Sequence, residues 1–267
     1  MLGCFGGRAI LLALQSEALR LVDALVDERP IELPKYRLNL LRGFELVRGD
    51  RAVPMFMNAQ RLIAFLALQQ HAVPRAYIAG VLWPEVPDGR AAGNLRSELW
   101  RLRRRCLDIV ETRPEGVRIS PAIFVDVLRT EVVSRSVIDS AGNVDDCARD
   151  WLLCARGDLL PGWYDDWVLT ERERHHQLRF QALEVLCQRL TEEGRYRQAV
   201  LAGAAAVAAE PLHESAHRVL IRAHLAEGNR AAAMTQYRIY SDTLRSELGL
   251  RPSQQMHDLI ADLVTTG

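Results

Sequence analysis

The stretch from Gly89 to Leu107 constrains this chain more than any other. Leu95, Leu99, Leu102 and Cys106 recur at i, i+4, i+7 and i+11, so a helix would gather them on one buried face. At about 100° per residue, Arg90, Ser97, Arg101 and Arg104 then point the other way, with Trp100 beside them. Asn94, Arg96, Arg103 and Arg105 flank that exposed face. Between Arg96 and Arg105 there are five arginines and one carboxylate, Glu98. Like charges crowded on one helix repel each other and destabilise it unless a counter-charge is met. Such a helix needs a core behind it and a polyanion in front. Duplex DNA meets the second need, because its phosphates take the charge and guanine edges accept arginine bidentately. A merely solvated cationic face is the bland alternative.

The surrounding pattern gives that helix a setting. Tyr36, Leu38 and Leu40 alternate with Arg37 and Asn39 as a strand does, and Gly43 to Val47 reads as a second strand. Gly49-Asp50 turns the chain into Ala52-Val53-Pro54, so a small antiparallel sheet opens the fold. Ala59 to Gln69 is helical, with Leu62, Phe65 and Leu66 at i, i+3 and i+4, and Val73-Pro74 breaks it. A short helix carrying Ile78, Val81 and Leu82 follows and stops at Trp83-Pro84. Asp88 stands where a side-chain cap for the long helix is expected. Ile109 to Thr112 and Val117 to Ile119 then alternate around Pro114-Glu115-Gly116, a hairpin with Arg113 and Arg118 near its tip. Sheet, helix, short helix, long basic helix and hairpin are the order of a winged helix-turn-helix. In that fold the long helix enters the major groove and the wing touches the backbone or minor groove.

Charge agrees with this placement. The chain is neutral overall, yet Tyr36 to Phe124 holds 14 arginines against 8 carboxylates, an excess of six that the rest of the chain balances. A basic front and an acidic back point the front at a polyanion. From Asp158 onward strand signals vanish, and Asp166 to Leu190 begins a run of helices reaching Val264. Two helix pairs are related by an offset of 34 residues. Ala182 corresponds to Ala216, Val185 to Val219, Leu186 to Leu220, Glu193-Gly194 to Glu227-Gly228 and Ala199 to Ala233. That is the period of the tetratricopeptide repeat, in which small residues let paired helices approach and glycines form the turns. Such repeats bury their apolar faces only by stacking. The expected fold class is an α+β N-terminal winged helix-turn-helix followed by an all-α tetratricopeptide-like domain. The domains read as an extension over 1–35, a DNA-binding domain over 36–128 and a helical domain over 129–267.

Three blocks carry a family resemblance. LWPEVPDGRAAGNLRSELWRLRR (Leu82 to Arg104), GDLLPGWYDDWV (Gly157 to Val168) and YRIYSDTLRSELGLRPS (Tyr237 to Ser253) resemble the Streptomyces antibiotic regulatory protein family. The resemblance spans about residues 36 to 264 and implies an OmpR-type winged helix joined to a bacterial transcriptional activation domain. It further implies a cytoplasmic transcription activator that binds double-stranded DNA at direct repeats, recruits RNA polymerase and acts on a secondary-metabolite or antibiotic gene cluster. The second domain would support activation and dimerisation, as a homodimer or as tandem copies on DNA. The site residues expected to meet DNA are Arg90, Asn94, Arg96, Ser97, Trp100, Arg101, Arg104, Arg113 and Arg118. Residues 1–35 have no counterpart in the resemblance. They read as an amphipathic helix through Leu11, Leu14, Ala18, Leu21 and Leu25, and the charge-free run from Ala9 to Ser16 is too short to span a membrane. The chain also stops without the ATPase or phosphopeptide-binding extensions of larger relatives, which argues against nucleotide or phosphate sensing.

The chain also carries one motif of a different chemistry. His213-Glu214-Ser215-Ala216-His217 matches HExxH, which on one helix face would make His213 and His217 zinc ligands and Glu214 a general base. The metzincin extension fails, since Leu220 and Ala223 stand where glycine and histidine belong, leaving His224 or Glu247 as a third ligand. The motif also falls inside a repeat unit, so these residues read as packing or surface residues and no catalytic group, metal or cofactor is expected. Lys35 follows Pro34, so there is no Walker loop, and GxGxxG and GxSxG are missing. Asp165 reads as a cap for the helix from Asp166, and His175-His176 as solvated. Cys4, Cys106, Cys147, Cys154 and Cys187 form no CxxC pair and read as reduced thiols. A repeat adaptor that binds only protein would explain the second domain but not the arginine face of the long helix.

Overall fold

Alternation decides the first element. Tyr36 and Leu38 are buried while Arg37 and Asn39 are half-buried, so β1 (Tyr36–Asn39) presents one face to a core. It pairs antiparallel with β2 (Glu45–Arg48), which turns at Gly49 (φ +57°) into β3 (Arg51–Ala52). This computed structural model describes residues 34–105, 107–139 and 157–264. Within them lie two compact units, one of residues 34–129 with 157–175 and one of residues 130–139 with 176–264. The expected helix within residues 1–35, along with Cys4, Cys106, Cys147 and Cys154, falls outside the described residues.

In the first unit, α1 (Met57–Leu68) buries every residue from Leu62 to Leu68 and forms the centre of the core. Pro74 then sits at the N-cap of α2 (Arg75–Leu82), where its missing N–H costs nothing. The long helix α3 (Asp88–Arg104) packs on α2 and α1. It is capped by Pro87 with no side-chain hydrogen bond, so Asp88 is a first-turn carboxylate facing the helix dipole and not the cap the sequence suggested. The wing is β4 (Val110–Thr112) and β5 (Val117–Ile119), paired antiparallel. It is tied to the segment between α1 and α2, where Val73 N–H donates to Val117 O (2.8 Å) and Val117 N–H to Val73 O (2.9 Å).

Two features of this unit escaped the sequence reading. β6 (Ile123–Val125) adds to β1 in parallel, giving the order β3-β2-β1-β6. Asp126, which follows it, is buried, and its carboxylate accepts from the backbone N–H groups of Leu40 (2.9 Å), Leu41 (3.0 Å) and Val127 (2.7 Å). The segment Gly157–His175 completes the core. Leu160 N–H donates to Leu40 O, Arg42 N–H donates to Asp158 O, and Leu159, Leu160 and Val168 are buried. Trp163 stacks on Phe44, and Trp167 meets Phe65 edge-on at 5.4 Å between centroids. Arg172 caps the loop by donating to the carbonyls of Leu159, Leu160 and Trp163. The carboxylate of Asp165 takes the guanidinium of Arg61 instead of a role confined to its own helix end.

The second unit contains helical pairs. Its elements are the later parts of α4 (Asp126–Ile138) and α5 (Asp166–Glu192), then α6 (Tyr196–Ala209), α7 (Glu214–Ala226), α8 (Arg230–Leu248) and α9 (Gln254–Val264). The 34-residue correspondence is physical: Ala182, Leu186 and Ala199 are buried, and so are Ala216, Leu220 and Ala233. Gly194 (φ +74°) and Gly228 (φ +84°) take the left-handed conformation that ends each first helix of a pair. Gly203 adds a contact that the repeat did not announce. A Cβ there would lie 2.9 Å from Cys187 Sγ and 3.1 Å from Leu220 Cβ, so α6 lies close to both neighbours only without a side chain. The Cys187 thiol is pushed up to about 12 by burial, which keeps it protonated and inert.

The HExxH residues are absorbed by this packing. His213 is the N-cap of α7, so it precedes the helix that was expected to carry both imidazoles; its Nδ1 meets Ser215 Oγ at 2.7 Å. Glu214 accepts from the backbone N–H of Ser253 (2.9 Å), from its hydroxyl and from Tyr240. Burial alone would raise its carboxyl, but these hydrogen bonds outweigh that and hold it below the usual range. His217 is buried, with Nε2 2.9 Å from Pro211 O and Nδ1 2.8 Å from the amide nitrogen of Gln236. A carbonyl on one side and an amide donor on the other fix the neutral Nε2–H tautomer and leave no lone pair for a metal. His175 is buried and His176 bonds Glu210 Oε1 at 2.8 Å, so neither is the solvated group that their charged neighbourhood implied.

Two measurements test this packing. A Cβ on Gly116 would stand 2.2 Å from Val73 O, a backbone atom that cannot yield. Gly116→Ala is therefore expected to destabilise the fold by about 1–3 kcal/mol in denaturant titration, while a mid-helix Gly80→Ala, with nothing within 4 Å, is neutral or stabilising. Burial lowers the imidazole pKa of His217, and that of His224 in the same direction. The unfolded chain then binds protons that the folded chain refuses, so stability is expected to fall as pH drops from 7 to 5.5. His217→Asn should flatten that slope; a slope identical to wild type contradicts the assignment.

Candidate nucleic-acid interface

The two-sided pattern of α3 appears in the structure with a small rotation. Its buried stripe is Ala91, Leu95, Glu98 and Leu102, while Leu99, expected at its centre, is half-buried. Glu98 is 4% exposed, an unusual place for a carboxylate, and Arg101 one turn on donates Nη1 to Glu98 Oε1 at 2.5 Å. The outer side carries Arg90, Arg96, Ser97, Trp100, Arg101, Arg103, Arg104 and Arg105, all exposed, with Asn94 half-buried.

The guanidinium groups fall into two classes. Arg101 is on Glu98, Arg104 lies over the Trp100 ring at 4.8 Å, and Arg105 donates to Pro54 O at 2.9 Å. The side chains of Arg90, Arg96 and Arg103 make no hydrogen bond or ion pair among the described residues. The first class is held by the protein; the second offers unneutralised charge to a ligand. Arg90, Asn94, Arg96, Ser97, Trp100 and Arg101 come together around Gly93, whose missing side chain leaves a shallow open depression in the helix face. The Ser97 hydroxyl donates to Gly93 O (3.0 Å), which leaves its oxygen lone pairs facing outward. Arg104 stands apart, on an adjoining apolar groove floored by Phe56, Met55 and Trp100.

Arg113 and Arg118 belong to the wing and do not line that depression. Both are gripped by Glu111: Arg113 Nη2 at 3.0 Å and Arg118 Nε at 2.9 Å from Oε2. Their hydrogen bonds, Arg118 first and Arg113 second, hold the Glu111 carboxyl below its ordinary value. One carboxylate thus tempers two wing arginines. Sequence reasoning missed Glu98, Glu111 and Phe56, the last 79% exposed at the N-cap of α1. For the two acids a signal existed. Glu98 precedes Arg101 by three residues on a helix, and Glu111 faces Arg118 across the hairpin, both favourable pairings. No local pattern marked Phe56.

No helix among the described residues is long and apolar enough to cross a membrane, and no three His, Cys, Asp or Glu side chains among them are grouped to hold a metal. The family model for the bacterial transcriptional activator domain matches residues 139–263. Regulatory protein AfsR of Streptomyces coelicolor is 28% identical over 210 residues, which cover 74% of this chain and 21% of that protein. The chain therefore spans about a fifth of the length of this curated relative. In structure it is similar to Mycobacterium tuberculosis EmbR, solved in complex with a low affinity phosphopeptide. The TM-score is 0.69 at 19% identity, over 87% of this chain and 65% of that one, a likeness of fold. The chain is therefore similar over residues 139–263 to the bacterial transcriptional activator domain and over most of its length to a Streptomyces regulatory protein, and its fold is like that of EmbR.

Proposed function

We propose that this protein is a sequence-specific, non-enzymatic transcriptional activator that sets α3 in the major groove of duplex DNA and lays its wing on the adjoining backbone. The observation that carries the reading is the set of guanidinium groups of Arg90, Arg96 and Arg103, unpartnered among the described residues, on a helix whose other side is buried through Ala91, Leu95 and Leu102. Charge left unneutralised within the fold favours a polyanion, and a helix anchored along its back presents its front as a rigid reading head. Arg90 and Asn94 lie in the first two turns, the part of a recognition helix that meets base edges, and Arg113 and Arg118 suit phosphate contact. By family likeness, residues 36–128 would bind DNA at direct repeats, as a homodimer or as tandem copies, and residues 129–267 would recruit RNA polymerase. The setting is a cytoplasm and the target a secondary-metabolite gene cluster.

The test is duplex binding measured against salt. The logarithm of affinity is expected to fall linearly with the logarithm of salt concentration, with a slope that counts the phosphates neutralised. Arg90→Ala or Arg96→Ala should either flatten that slope by about one or cost about 1–3 kcal/mol on one sequence only, according to whether the side chain holds phosphate or base. A double variant that binds duplex as wild type does would remove α3 from the interface. Glu111→Gln is expected to act oppositely. It frees two wing arginines, so the slope should steepen by about one and binding to unrelated duplex should tighten.

A further inference from the structure

We propose that Glu98 is a positioning residue for base recognition: it holds Arg101 as a pre-set guanine reader and so fixes one base pair of the operator. The inference rests on the reading of α3 as the helix that enters the major groove. Its ground is a contrast within that helix. The Arg96 side chain has no partner among the described residues, whereas Arg101 is bound through Nη1 to a carboxylate that is itself buried. A buried carboxylate stripped of its cation is costly, so Arg101 stays on Glu98 whether or not DNA is present. Two consequences follow. The charge of Arg101 is already neutralised, which makes it a poor phosphate clamp. Its side chain is also ordered before binding, so less rotamer freedom is lost when it docks.

The donors left over are Nε, Nη2 and the second hydrogen of Nη1, and the side chain is 56% exposed beside Trp100, Asn94 and Ser97. The N7 and O6 acceptors of guanine match a planar pair of guanidinium donors, and no other base offers two acceptors in that arrangement. Arg101 therefore supplies sequence information with little salt dependence, and Arg96 supplies the reverse.

The experiment uses the full chain. Wild type, Glu98→Gln, Arg101→Lys, Arg96→Ala and the charge-neutral double variant Glu98→Gln/Arg101→Gln each select duplexes from a randomised pool. Each is then titrated on the wild-type selected duplex and on an unrelated one at several salt concentrations. Wild type is expected to select a motif containing a guanine column. Arg101→Lys, which keeps a cation over Glu98 and with it the fold, should lose that column alone and bind the selected duplex about 10- to 100-fold more weakly. Glu98→Gln should lose the same column while binding unrelated duplex more tightly, since the guanidinium is released. The double variant should keep the wild-type salt slope, which Arg96→Ala should flatten. If Arg101→Lys and the double variant select the wild-type motif, with only the thermal midpoint lowered, the pair is merely structural and the proposal is overturned. A wild-type chain that selects no motif overturns the DNA-binding reading itself, and this inference with it.

Discussion

The arrangement depends on one constraint, that α3 is apolar enough on one side to lock into the core and carries its crowded arginines on the other. Ala91, Leu95 and Leu102 are buried in the core that α1 and α2 also fill, and burial of this order is worth roughly 1.5–3 kcal/mol for each leucine. That anchoring lets a crowded row of arginines exist on a stable helix. It also fixes their direction, since a helix held along its back cannot roll to hide them.

Carboxylates partner selected cations, and the selection divides the surface. Glu98 holds Arg101, Glu111 holds Arg113 and Arg118, and Asp165 holds Arg61. Asp126 does comparable work on the backbone, joining the end of β1 to the start of α4 through the N–H groups of Leu40 and Leu41. The arginines left without such a partner on α3 sit on its outer side. The pattern of acids thus says as much about the proposed interface as the pattern of bases.

Legibility in the sequence followed the range of the interaction that determines each feature. The α3 pattern, the wing and the paired alanines and glycines of the helical repeats are set by spacing within one or two elements, and Gly194 and Gly228 behave as their correspondence implied. Asp126 reaches residues 85 and 86 positions away, and Leu160 bonds the carbonyl of Leu40 across the chain, so no window contains both partners. β6 has three residues and pairs in parallel with β1, too short to show a period. Within α3 the error was a small rotation. A strip centred on leucines put Leu99 inside, whereas the smaller Ala91 and the paired Glu98 occupy the buried line. The HExxH match, set aside from the sequence because it falls inside a repeat unit, also shows that a residue string says nothing of where a helix begins: α7 begins after His213.

The most direct measurement is residue-resolved labelling of arginine by phenylglyoxal, read by mass spectrometry with and without a selected duplex. The account predicts that DNA shields Arg90, Arg96 and Arg103, while the exposed Arg222 and Arg238 of the helical unit react as before. Equal reactivity of the three α3 arginines in the presence of bound duplex, with shielding confined to the helical unit, would contradict it.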